Sequence, residues 1–61
     1  MACMRRASQV VAYFSKKYDC NRFWLWEILD NHFNMRRGQA AMMDSQEVIA
    51  FQDLIEDFLD E

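Results

Sequence analysis

The chain has 61 residues, 52% of them apolar or aromatic, and a formal net charge of −3. That length bounds it to a single domain, residues 1–61, with a marginal core, and the apolar content excludes disorder. There is no proline and one glycine, Gly38, so an all-β fold would lack its turn residues.

The first predicted helix covers residues 4–18. Met4, Ala7, Val11, Phe14 and Tyr18 recur at spacings of three and four, which puts them on one helical face, widened by Val10. Lys16 and Lys17 fall near its end, where cations suit the negative pole of the helix dipole. Asp19-Cys20-Asn21 breaks the pattern, and either Asp19 or Asn21 can cap the next helix.

The second predicted helix covers residues 21–36. Leu25, Ile28, Leu29, His32 and Phe33 form its apolar face, while Phe23, Trp24 and Trp26 add bulk on other sides. A helix apolar nearly all round is expected to be buried on more than one side. Gly38 reads as its left-handed stop, with Arg36 and Arg37 near the carboxyl end. Residues 39–43 read as a connector. The third helix covers residues 45–59, opened by Asp44 with Glu47 three positions later, the pattern of a capping box. Val48, Phe51, Ile55 and Phe58 give it an apolar stripe opposite Gln46, Asp53, Glu56, Asp57 and Asp60. The expected fold is all-α: three short helices in a small bundle.

Three short helices have difficulty enclosing Trp24 and Trp26 together with Leu25 and Leu29, and each large side chain left in water forgoes roughly 1.5–3 kcal/mol. A homodimer that buries the second face of the middle helix is the expected remedy. Phe23, Trp24, Trp26 and Phe33 are its candidate interface residues, or else the contact site for a protein partner.

Charge is divided along the chain. Residues 1–22 hold Arg5, Arg6, Lys16, Lys17 and Arg22 against Asp19 alone, whereas residues 44–61 hold seven acids and no cation. The first set is a candidate basic patch, which Arg36 and Arg37 could join. Asp53, Glu56, Asp57 and Asp60 form a candidate acidic face for a basic partner. Asp57, Asp60 and Glu61 crowd a helix carboxyl end, where the dipole disfavours them.

Chemistry of other kinds finds little support. One histidine, no glycine-rich phosphate loop and no convergent polar group argue against an enzyme. Cys3, Cys20 and His32 lack the close cysteine pairing of structural zinc sites and read as two reduced thiols and an interior or interface histidine. No metal, cofactor or catalytic residue is expected. No apolar run approaches the roughly 20 residues needed to span a bilayer, and the stretch Val10–Phe14 after Arg5 and Arg6 is too short for a signal-peptide core. A cytoplasmic protein without membrane contact is expected. Two helices joined by a short turn suggest a helix-turn-helix, but Phe23–Trp26 occupies the end that would enter the groove, and phosphate would repel an acidic third helix.

In size, acidity and helical character, and in segments such as Phe23-Trp24-Leu25-Trp26 and Val48-Ile49-Ala50-Phe51, the chain resembles short accessory proteins from the early exo–xis region of lambdoid bacteriophages. That resemblance implies a small regulatory protein that binds a host protein in the host cytoplasm, and it carries over no functional residue. The leading expectation is therefore a non-enzymatic protein–protein interaction module. The alternatives are a small DNA-binding transcriptional regulator using the basic first helix, or a structural subunit of a larger assembly.

Overall fold

The computed structural model describes residues 3–61; Met1 and Ala2, included in the expected 1–61 domain, lie outside them. Three helices and one two-stranded antiparallel sheet are arranged in the order β1 (Arg5–Arg6), α1 (Ala7–Lys17), α2 (Arg22–Phe33), β2 (Met42–Met43) and α3 (Ser45–Leu59). The chain is mostly helical, as expected, and the small sheet is the addition.

That sheet moves the first helix boundary. Arg5 pairs with Met43 and Arg6 with Met42, and the Ala7 N–H donates to the Ala41 carbonyl at 2.9 Å. Arg5 and Arg6 are thereby held extended, and Met4, expected on the buried stripe, is 50% exposed. From Ala7 onward the stripe is as expected: Ala7, Val10, Val11 and Phe14 are buried. Arg6 provides no side-chain cap, and the first turn of α1 holds no acid. The positive pole of its dipole is therefore left without a carboxylate.

A Schellman turn separates α1 from α2. The Cys20 N–H returns to the Ser15 carbonyl at 3.1 Å, and Asp19 takes the left-handed conformation at φ 52°. Aspartate adopts it more readily than most residues because its short polar side chain bonds locally. Of the two possible caps, Asn21 is the one used: its Oδ1 accepts from the Phe23 N–H at 2.7 Å. Helix α2 then ends earlier than its composition implies. Asn34 is left-handed at φ 55°, and the amides of Asn34 and Met35 both return to the Leu29 carbonyl. This turn folds Met35 into the core. Gly38, expected as the stop, lies instead in the loop beyond, at φ 87°.

Helix α3 begins as its sequence dictates. Asp44 accepts from the Glu47 N–H at 2.8 Å and Glu47 accepts from the Asp44 N–H at 2.9 Å, a complete capping box. Phe51 and Ile55 are fully buried. The Phe51 ring meets Phe14 edge-on, with centroids 5.5 Å apart, and Phe33 at 6.1 Å. One residue thus joins all three helices. Trp24 packs edge-on against Phe58 at 6.2 Å. Burial that the composition assigns to a second copy is partly supplied by α3 of the same chain. His32, expected on the buried face, is exposed, with its ring 6.1 Å from that of Phe58.

A polar tie closes the far end of the bundle. The Tyr18 hydroxyl donates to Glu56 Oε2 at 2.6 Å and accepts from Gln52 Nε2 at 2.9 Å. Removal of the hydroxyl from water raises its pKa above the ordinary 10.0, and the bond to Glu56 adds to the rise. The folded chain therefore keeps this proton where the unfolded chain releases it. The resulting stabilisation is complete below about pH 10 and is lost as pH climbs through the raised value. Thermal melts from about pH 9 to about pH 11 should show a steeper fall in Tm for the native chain than for Tyr18→Phe. Equal slopes would mean that the tie does not stabilise the fold.

Candidate nucleic-acid interface

Residues two apart on a helix point about 200° apart around its axis. Trp24 faces α3, so Trp26 faces away from it, toward β1 and the loop of residues 34–41. There it borders a concavity of about 340 Å³. Arg6 of β1, Arg22 at the start of α2, and Arg36 and Arg37 of the loop line this space, and no acid does. Ser8, in the uncapped first turn of α1, lines it too. A second, more open groove continues over Phe23, Trp26, Glu27 and Asp30 on α2, flanked again by Arg36 and Arg37.

The four guanidinium groups are not equally engaged. Arg36 Nε lies 3.1 Å from Asp30 Oδ1, an ion pair whose partners are 64% and 46% exposed. At that exposure it contributes about 0–1 kcal/mol. Arg22 Nε makes a long bond, 3.4 Å, to Ser15 Oγ. Arg6 and Arg37 have no hydrogen-bond or salt-bridge partner among the described residues. Several cations therefore face one hollow with little to neutralise them. Helix α3 contributes nothing to its wall. The acidic segment 44–61 instead packs on the Trp24 side of α2, through Phe58.

The expected interface residues do not converge. Phe23 points outward and is 69% exposed, Trp24 meets Phe58, Phe33 meets Phe51, and Trp26 stands among the arginines. The basic patch divides in the same way. Arg6 and Arg22 line the concavity, while Arg5 borders a separate hollow with Gln9, Val10 and Tyr13. Lys16 and Lys17 flank Tyr13 near the other end of α1, with Lys17 Nζ 5.5 Å from the centre of the Tyr18 ring. Asp53, Glu56, Asp57 and Asp60 are all exposed, and Glu56 is held by Tyr18. Spacing gave Trp26 as one of four interface candidates and did not reveal that it borders the arginines. The pair Arg36-Arg37 beside Gly38 is the sequence signal that could have located the basic loop.

Among the described residues, no three His, Cys, Asp or Glu side chains are grouped as metal ligands would be. No helix there is long and apolar enough to cross a membrane. Burial raises the Cys20 thiol above its ordinary 9.0, with Asp19 adding to the rise, so this sulfur is a poor nucleophile near neutral pH. Comparison with protein-family models, curated proteins and solved structures finds no match to the chain.

Proposed function

We propose that the chain is a small DNA-binding regulator of helix-turn-helix type. It lays the exposed side of α2 in the major groove and holds the sugar–phosphate backbone with arginines from β1, α2 and the 34–41 loop. One observation carries this reading: arginines distant in sequence meet in a single acid-free concavity beside the exposed side of α2. The order α1, short turn, α2 is compatible with it, and in a pair of that type the amino-terminal residues of the second helix enter the groove. At that end Phe23 can contact a thymine methyl group, and Glu27 can accept from a cytosine amino group.

The net charge of −3 slows approach to DNA but does not prevent it, since repulsion is screened beyond roughly 10 Å at moderate salt. No acid of residues 44–61 lines either hollow, whereas Glu27 and Asp30 border the groove over α2, with Asp30 paired to Arg36. The reading as a module that docks on another protein rests mainly on Phe23, the one member of the expected aromatic set that is largely exposed.

Fluorescence anisotropy with duplexes of about 20 base pairs over a salt series tests the proposal. Neutralising between one and four phosphates with these arginines should make the affinity fall with a log–log slope of roughly −1 to −4. No binding at about 50 mM salt, or a slope near zero, would remove the basis for this function.

A further inference from the structure

We propose that the hollow between Trp26 and the first turn of α1 is a phosphate-binding site, which seats one phosphate of a nucleic-acid backbone. The source of that phosphate rests on the DNA-binding reading; the site itself rests on its lining. Arg6, Arg22 and Arg37 border it without a carboxylate partner among the described residues, while Arg36 is already paired with Asp30. Cations gathered without an acid raise one another's free energy, and an anion between them relieves it. The uncapped positive end of α1 opens on the same space through Ser8. A volume of about 340 Å³ is more than ten times the roughly 30 Å³ of a water molecule, ample for a phosphate group.

The loop that closes the hollow is held in a costly shape. Ala40, which lines it, is left-handed at φ 48°. It has no side-chain polar group to offset a cost of about 1–2 kcal/mol. Trp26 supplies an apolar wall and a flat face on which a guanidinium or a sugar can rest. Together these features fit a tetrahedral anion carried on a bulkier, partly apolar body better than a small solvated ion.

Trp26 also reports on the site. In a Trp24→Phe background, whose fold is checked by circular dichroism, it is the sole indole. Its emission is followed with inorganic phosphate at constant ionic strength, with sodium chloride as control, and with the duplex. Arg6→Ala, Arg22→Ala and Arg37→Ala are made in parallel. The result expected is a saturable emission change with phosphate and with duplex but not with chloride. Each arginine variant should weaken duplex binding, and because the three share one phosphate, removing all of them together should lower the duplex salt slope by about 1. Duplex binding with emission and slopes unchanged would overturn the site and leave the DNA-binding reading standing. No duplex binding by the native chain would overturn that reading and the backbone assignment with it. A saturable response to inorganic phosphate would then mark a free-anion site instead.

Discussion

Phe51→Ala is expected to leave the chain without a cooperative thermal transition. The Phe51 ring is fully buried and meets Phe14 of α1 and Phe33 of α2 at 5.5 and 6.1 Å, so its loss loosens α3 from both other helices at once. Truncating a buried phenylalanine costs about 3–5 kcal/mol. At about 0.05–0.15 kcal/mol per residue, the whole chain has a stability of roughly 3–9 kcal/mol. The cavity therefore removes between about a third and all of it. Far-UV circular dichroism against temperature decides the matter. A cooperative melt within about 10 °C of the native Tm would show that the three-ring contact is not what holds the helices together. Phe23→Ala is the counterpart: that ring is 69% exposed, and its removal should leave the melt nearly unchanged.

The contrast between Phe51 and Phe23 shows what a linear reading of the chain captures. Helix α3 was legible to the residue, because its capping box and its stripe are both local: every partner lies within a turn or two. The start of α1 was not, because Arg5 and Arg6 are drawn out of the helix by Met42 and Met43, a pairing across most of the chain. The end of α2 was displaced by a local competitor, Asn34, which takes the left-handed turn before Gly38 is reached. The fate of the aromatic residues is a property of the assembled helices. Trp24 and Trp26 are equivalent as composition, yet one meets Phe58 and the other stands among arginines, because two positions on a helix are half a revolution apart.

Charge behaves in the same way. Summed along the chain, it is acidic and disfavours DNA, and residues 23–43, with Arg36 and Arg37 against Glu27 and Asp30, cancel to zero. Placed in space, Arg36 and Arg37 join Arg6 and Arg22 around one hollow that no acid lines, and Glu27 and Asp30 border the neighbouring groove instead. A surface that a partner would meet is set by this separation and not by the total.

Reversing Arg36 and Arg37 together, R36E with R37E, is accordingly expected to abolish duplex binding. At about 100 mM salt, releasing one counterion per phosphate contact is worth close to a factor of ten, so two lost contacts cost roughly a hundredfold before repulsion is counted. Two new carboxylates beside Asp30 and Glu27 add that repulsion. The fold should survive, because both side chains are exposed and the ion pair that Arg36 loses is a surface one. The discriminating control is the same reversal at Lys16 and Lys17, which removes equal charge from near the other end of α1. There the affinity should fall far less, through net charge alone. Equal losses from both reversals would mean that DNA responds to total charge, and that the concavity around Trp26 is not where it binds. A large loss confined to the loop pair would place the contact at the hollow where Arg36 and Arg37 meet Arg6 and Arg22.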